Sequence, residues 1–279
     1  MTLEVSPSTQ RRSFCAASLA SVLIPGGLAS AEPTGAAAEL GATGRLRAAI
    51  NLGNPILAKR GDKPDEPQGV SVDLAREAAR RLGLAIELIV FEAAGKVVEA
   101  VKARQVDLAC VAIDPVRGAD MDYTAPYVII EGTYLVRQDS PLQRNEEVDR
   151  AGTRVVVGRG SAYDLFLTRE LKAASLERAP TSPEVTDYFL AHKLEVAAGV
   201  KQQLEADIRR LTGSGVPPLR LLPGRFMAIE QAMAVPKGRS AAQAWLSAFI
   251  EEMKASGFVA ESLRRHGVNG AEVAPLAKP

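Results

Sequence analysis

Strand-like and helix-like stretches alternate along most of this chain, which is the pattern of parallel β-α-β units. The stretch "VSVDLAREAARRLG" carries apolar residues at helical spacing, Leu74, Ala78 and Leu82, and ends at a glycine, Gly83. It is followed by the strand-like run "AIELIVF", a second helical stretch and the almost continuous apolar run "VDLACVAI". An apolar run without polar alternation is typical of a strand covered on both faces. The first part of the chain is therefore predicted to form a mostly parallel sheet flanked by helices.

The same alternation starts again with the strand "TRVVVGRG" and a helix that begins at Ser161, and two helices close the chain. The strand-like segments "GTYLVR" and "EQAMAVP" flank this second unit and are predicted to be two hinge crossings. The chain is thus predicted to form an α/β fold of two lobes, each of ordinary domain size. Lobe 1 is assigned residues 44–137 and 234–270, with the last helices returning to it, and lobe 2 is assigned residues 138–233.

The N-terminal 31 residues are predicted to be an export signal that is absent from the mature protein. A basic pair, Arg11 and Arg12, precedes an apolar run of small residues, and Ala29-Ser30-Ala31 fits a cleavage site. The run is too short to span a bilayer. We expect cleavage after Ala31, a periplasmic location, and a loose linker from Glu32 to Thr43.

The composition of the chain excludes several classes of function. The formal net charge is +1, so no basic face for nucleic acid is indicated, and an aromatic content of 5% argues against a platform for stacked bases. Removal of the signal would leave Cys110 as the one cysteine, and no Cys/His spacing typical of a metal site occurs. Neither a metal nor a cofactor is predicted.

Four segments, in their order and spacing, carry a family resemblance: "GVSVDLAREAARRLGL", "VDLACVAIDPVRGADMDYTAPYV", "VVVGRGSAYDLFL" and "LEVAAGV". Together they resemble the amino-acid class, family 3, of bacterial periplasmic solute-binding proteins, over roughly Leu46 to Gly267. The resemblance implies a type II two-lobed fold with a small carboxylate-bearing solute bound between the lobes and a hinge that closes over it. It also implies a monomer that delivers the solute to the membrane permease of an ABC importer and performs no chemistry.

Arg117 is the leading candidate for holding the ligand's carboxylate, because its planar fork of donors can bind a carboxylate bidentately. Gly160 and Ser161 open a helix in the other predicted lobe, where backbone N–H groups and the helix dipole favour an anion. Two other interpretations stay open at this stage. Arg117 pairs with Asp114 or Asp120 in a turn, or Ser161 is an ordinary N-cap.

The sequence departs from the resemblance where the family's Asp usually holds the ligand's α-ammonium, because Val200 stands near that place. Asp114, Glu230 and Glu131, the last near the predicted hinge, are candidates to replace it, and a ligand without an α-ammonium is the alternative. Further candidate contacts lie in the first loop, at the end of the strand before Arg117 and beside Ser161: Asn51, Asn54, Ala112 and Tyr163.

Two competing functions remain on the same fold. One is a periplasmic enzyme such as a cyclohexadienyl dehydratase-like lyase, which needs a placed general acid or base. The two histidines, His192 and His266, both lie at predicted helix ends outside the predicted cleft, so the chain is predicted not to be an enzyme. The other is a stand-alone ligand-sensing partner of a membrane receptor.

Overall fold

The computed structural model describes residues 1–2, 33–63 and 66–278, so the predicted export signal lies almost entirely outside the described residues. The helices are α1 (Pro33–Leu40), α2 (Val70–Leu82), α3 (Ala94–Lys102), α4 (Ala162–Glu170), α5 (Val185–Ala191), α6 (Lys201–Leu211), α7 (Ser240–Ala255) and α8 (Phe258–Arg265). The strands are β1 (Leu46–Asn51), β2 (Lys59–Arg60), β3 (Pro67–Gln68), β4 (Ile86–Phe91), β5 (Leu108–Ala112), β6 (Met121–Arg137), β7 (Arg154–Gly158), β8 (Ser175–Ala179), β9 (Val196–Val200), β10 (Leu219–Leu221), β11 (Met227–Pro236) and β12 (Glu272–Val273).

The strands form one large sheet in the order β4-β1-β5-β11-β6-β9-β7-β8, and β10 and β12 pair with β6. Strands β1, β4 and β5 are parallel neighbours and make up the first strand group. Strands β7, β8 and β9 are likewise parallel and make up the second strand group. The short β2–β3 hairpin is separate from the large sheet. The predicted α/β fold of flanked, mostly parallel strands is confirmed.

Two long strands run between the two strand groups. β6 is one 17-residue strand, although the sequence suggests two apolar runs joined at Gly132. β11 pairs antiparallel with β5 and β6, and β6 pairs antiparallel with β9. A Cβ on Gly132 would lie 2.8 Å from Met227 Cγ, so a glycine allows these strands to approach. The predicted hinge crossings fall inside β6 and β11.

The predicted linker after the signal is wrong, because residues 33–40 form helix α1. Ala36 and Leu40, spaced i and i+4, are fully buried, and α1 packs against α7. Glu39 accepts a hydrogen bond of 2.8 Å from the backbone N–H of Ala242, which lies in the first turn of α7. An Ala/Gly-rich segment therefore becomes a helix through tertiary packing, which its composition alone does not reveal.

The two C-terminal helices pack on the helices of the first strand group. α7 contacts α1 and β6, and α8 contacts α2 and α7. Asp73 in α2 accepts hydrogen bonds from Ser262, Arg265 and His266 at the end of the chain. In the described ranges, no helix is long and apolar enough to cross a membrane.

A charge cluster between α2 and α7 makes stability depend on pH. Glu77 accepts hydrogen bonds from Arg80 and Arg81, and Arg81 also pairs with Glu252 in α7. The hydrogen bond from Arg80, followed by that from Arg81, lowers the pKa of Glu77 to about 2, against the opposing effect of burial. A depressed folded-state pKa stabilises the fold above the unfolded value, and this contribution disappears as the pH falls toward the folded value.

We expect Glu77→Gln to lower the free energy of unfolding by about 1 kcal/mol near neutral pH, a small value because Arg80 is largely exposed. The free energies of unfolding of the native chain and the variant, measured with urea, should converge as the pH falls from about 5 to about 2. A difference that stays constant across this range would contradict the assignment.

Candidate functional site

A small cavity of about 30 Å³ lies at the carboxyl ends of strands from both groups. Asn51 ends β1, Ala112 ends β5 and Val200 ends β9, and all three line the cavity. The carboxyl ends of parallel strands are where open α/β sheets bind ligands. The lining also includes Asn54, Arg117, Ser161 and Tyr163, so the structure brings six of the nine predicted site residues to this cavity.

Arg117 lies in a 3-10 turn after β5, and only 2% of its surface is exposed. Its Nη1 donates to the carbonyl of Ala112 at 3.0 Å and its Nη2 to the carbonyl of Gly160 at 2.8 Å. The carboxylates considered as partners pair elsewhere, Asp114 with Arg169 and Asp120 with Lys102. Among the described residues, no carboxylate forms an ion pair with Arg117, so its charge is held by neutral carbonyl groups.

Burial lowers the pKa of Arg117, and the nearby Tyr123 and Asp114 act in the opposite direction. A guanidinium stays protonated under all ordinary conditions. A buried cation without an anion is costly, and an incoming carboxylate would remove that cost. The position is therefore suited to binding an anion from solution.

The N-terminus of α4 meets the cavity opposite Arg117. Ser161 is its N-cap, because its Oγ accepts a 3.0 Å hydrogen bond from the backbone N–H of Asp164. Gly160 does not offer its N–H as expected, since it donates to Asp164 Oδ2 at 2.8 Å. In the described part of the chain, the N–H groups of Ala162 and Tyr163 have no hydrogen-bond acceptor, and both residues line the cavity. These are the donors that the helix presents.

Helix α3 approaches the same place from the first strand group. Its first residue, Ala94, lines the cavity, and its N-cap, Ala93, provides no side-chain cap. Gly160 has φ +68°, and a Cβ there would lie 3.1 Å from the Cα of Gly95. A glycine at Gly160 thus permits the close contact, and two positive helix ends face one small cavity.

Neutral polar side chains complete the lining. Asn51 Oδ1 accepts from the backbone N–H of Gly53 at 3.0 Å. Asn54 Oδ1 is buried and has no hydrogen-bond donor within the described residues. Ser182, which sequence reasoning missed, approaches so closely that a Cβ on Gly158 would lie 2.6 Å from its Oγ. Burial raises the pKa of Tyr163 to about 12, against the opposing effects of Ser182 and Ser161, so the phenol is neutral.

Asp114 lies beside the cavity but is engaged elsewhere. Its Oδ1 accepts from the backbone N–H of Val116 at 2.8 Å, and its Oδ2 accepts from Arg169 Nη2 at 3.0 Å. Arg169 belongs to α4, so the pair joins the two sides of the cavity, as does the hydrogen bond from Arg117 to Gly160. Asp114 does not line the cavity.

Glu230 is not brought to the cavity. It is exposed, whereas its neighbours Ile229 and Gln231 line the cavity from the other face of β11. Gln231 is only 5% exposed, and its side chain makes no hydrogen bond to the described residues. A strand alternates its side chains between faces, so the useful polar residue is one position further along.

A second cavity, of about 410 Å³, shares no lining residue with the first. Its lining residues Pro55 and Gln202 lie one and two positions after Asn54 and Val200 of the small cavity. Its charged and titratable lining residues are Lys59, Glu205, Arg209 and His266.

Solved structures of similar fold include proteins that bind amino acids and a histidine kinase sensor domain with similarity to periplasmic binding proteins. A solute receptor for L-cysteine from Neisseria gonorrhoeae is 20% identical, with 84% of this chain and 94% of that chain covered and a TM-score of 0.72. A mutant of ArgBP from T. maritima is 18% identical, with 83% and 99% covered and a TM-score of 0.70. The ancestral amino acid-binding protein AncCDT-1, a precursor of cyclohexadienyl dehydratase, is 18% identical, with 82% and 98% covered and a TM-score of 0.68.

At these identities the likeness shows the fold alone, which is the two-lobed type II fold of periplasmic binding proteins. A search of curated proteins gives no match. The sequence model of the bacterial extracellular solute-binding proteins, family 3, matches residues 46–269. The chain belongs to this family, which confirms the resemblance drawn from its motifs.

Proposed function

We propose that this protein is the solute-binding component of an ABC importer and captures a small carboxylate-bearing solute between two lobes. The observation that carries the proposal is Arg117, a buried cation that lines a cavity and pairs with no carboxylate of the described chain. The N–H groups of Ala162 and Tyr163 lie across the same cavity. One carboxylate held by both sides would couple binding to closure of the lobes.

In this proposal the two strand groups with their helices act as the two lobes, and β6 and β11 serve as the hinge. The present cavity of about 30 Å³ is far below the ~300–1,000 Å³ of typical small-molecule sites. The groups must therefore separate to admit a solute. Separation breaks the contact of Arg117 with Gly160 and that of Asp114 with Arg169, which exposes the guanidinium to the ligand.

The proposal also covers the location of the protein in the cell and its membrane partner. Export with cleavage after Ala31, a periplasmic location, a monomeric state and delivery to a membrane permease follow from the family and the predicted signal. The alternative is a lyase reaction on the same fold, which would need a general acid or base placed at the ligand.

A thermal-shift screen with matched acid and amide pairs tests the carboxylate claim. A ligand that binds only the native state raises Tm by an amount that grows with its concentration over Kd. We expect an organic acid to raise Tm, and the primary amide of the same acid to have no effect. Equal shifts for acid and amide would contradict the proposal.

The pair between Asp114 and Arg169 is expected to favour the closed form. Arg169→Ala should weaken ligand affinity about three- to tenfold, because a closed state that is less populated lowers the apparent affinity. Small-angle scattering of the ligand-free variant should give a larger radius of gyration. Glu170→Ala, an exposed neighbour on α4, is the control. Unchanged affinity and radius would show that the pair does not govern closure.

A further inference from the structure

We propose that the cavity binds a carboxylic acid whose α-substituent is neutral and donates a hydrogen bond, and that it discriminates against zwitterionic α-amino acids. A 2-hydroxy acid and an N-acylated amino acid share this chemistry. The inference rests on the proposed function and specifies the class of solute.

The charges in the lining of the cavity all have one sign. Arg117 is the one ionised side chain in its lining, and the first residues of α3 and α4, Ala94 and Ala162, add the positive ends of two helices. The nearest carboxylates are already paired, Asp114 with Arg169 and Asp164 with Arg178. Arg117 and the two helix N-termini can therefore bind the ligand's carboxylate. The cavity lining contains no carboxylate.

An α-ammonium lies within two bonds of the carboxylate carbon, so it must enter this same positive environment. Burial of an ammonium without a counter-charge costs several kcal/mol, and the like charges around the cavity add to that cost. Glu205 lines the second, larger cavity and not this one. A neutral α-substituent avoids the cost altogether.

The neutral lining shows what replaces the ammonium. Asn54 lines the cavity, and its buried Oδ1 lacks a donor within the described residues. A buried acceptor without a donor costs about 1–3 kcal/mol, which a ligand O–H or N–H would recover. The side-chain amide of Gln231, which makes no hydrogen bond to the described residues, supplies a further neutral hydrogen-bonding group. A hydroxyl or an amide N–H satisfies such a site without bringing a charge.

The test compares three forms of the same side chain by isothermal titration calorimetry on the native protein. One series is L-leucine, 2-hydroxyisocaproate and N-acetyl-L-leucine, and two others are built on phenylalanine and glutamate. In the series that binds, we expect the hydroxy or N-acetyl form to bind at least about tenfold tighter than the amino acid. Comparing the affinities of the two neutral forms shows whether the site prefers a 2-hydroxy acid or an N-acylated amino acid.

Two substitutions at Val200 test whether the lack of a carboxylate in the cavity lining causes the discrimination against amino acids. Val200 lines the cavity and is the N-cap of α6, a position where Asp and Asn are both favourable. Val200→Asp should raise the affinity for the amino acid at least about tenfold and weaken the hydroxy acid, because it supplies the missing carboxylate. Val200→Asn, of similar shape but uncharged, should not produce this gain.

An amino acid that binds the native protein as tightly as its neutral forms would overturn the inference and leave the proposed function intact. So would a Val200→Asp variant with no gain for the amino acid. If no carboxylate, with or without an amine, binds at millimolar concentration, the proposed function fails and the inference fails with it.

Discussion

Replacing Arg117 with alanine is expected to weaken binding of the carboxylate ligand by at least about a hundredfold. Removing one partner of a buried, hydrogen-bonded charge pair costs about 2–5 kcal/mol, and Arg117 is only 2% exposed. The variant also removes the bidentate geometry that no other residue in the cavity lining supplies. Calorimetric titration with any acid that binds the native protein measures this loss.

The ligand-free protein should tolerate the same substitution. Arg117 donates to the carbonyls of Ala112 and Gly160, and each such hydrogen bond contributes about 1 kcal/mol net. Loss of these bonds is offset because the variant no longer buries a cation without an anion. We expect Tm of the ligand-free variant to fall by no more than about 4 °C. A much larger fall would assign Arg117 a structural role.

Two further variants test whether the loss of binding comes from the contact at Arg117 or from a general loss of positive charge. Arg117→Lys keeps the charge but loses the fork, so binding should be intermediate. Arg159→Ala removes an exposed cation next to Gly160 and should leave binding nearly unchanged. If Arg159→Ala weakens binding as much as Arg117→Ala, the effect comes from the general positive potential and not from a contact at Arg117.

The spacing of apolar residues predicted most helices and strands, because the buried residues of each element recur with its own period. α2 is the clearest case, since Leu74 and Ala78 are fully buried and Gly83 closes the helix in the left-handed conformation. α1 was missed because its stability comes from α7, a helix some 200 positions away in the chain, through the contact of Glu39 with Ala242. Local pattern does not carry that information.

Much of the candidate site was predictable for a topological reason. Asn51, Ala112 and Arg117 follow the carboxyl ends of parallel strands, which meet at one edge of a sheet. Gln231 was missed in favour of Glu230, because β11 is buried along most of its length and its apolar pattern does not reveal which face each residue takes. Register shifts at Gln231 and Ala232 blur the alternation further.

The pairing of Asp114 with Arg169 could not be predicted from the sequence, for a different reason. Asp114 follows β5 and Arg169 lies in α4, so their ion pair joins residues 55 positions apart in the chain. Spacing along the chain left a local pair of Asp114 with Arg117 open as one interpretation. A side-chain pairing between such distant segments is set by tertiary geometry.

Asp107 anchors the end of the first strand group that is remote from the cavity. It is fully buried at the start of β5, where its carboxylate accepts from Arg47 of β1 at 2.8 Å and from Arg239, the N-cap of α7, at 2.8 Å. Burial alone would raise the pKa of Asp107, but the hydrogen bonds from Arg47 and Arg239 outweigh it and lower that pKa. One carboxylate thus holds two strands and the returning helix.

We expect Asp107→Asn to lower the free energy of unfolding by roughly 3 kcal/mol, because breaking a buried ion pair leaves two arginines without their anion. For a chain of this size Tm should fall by about 6–12 °C. The folded-state pKa is depressed, so the contribution is present above the unfolded value and disappears on acidification. Denaturant unfolding of native chain and variant should therefore converge as the pH falls below about 4.

Asp139→Asn, at an exposed carboxylate, is the matched control and should leave stability unchanged. Because Asp107 lies at the opposite end of β5 from Ala112, folded Asp107→Asn protein should bind its ligand with native affinity. Arg117→Ala should show the reverse pattern, with native stability and lost binding. If both variants lost stability and binding together, the cavity and the core would be one cooperative unit, and Arg117 would have no separate role in recognising a ligand.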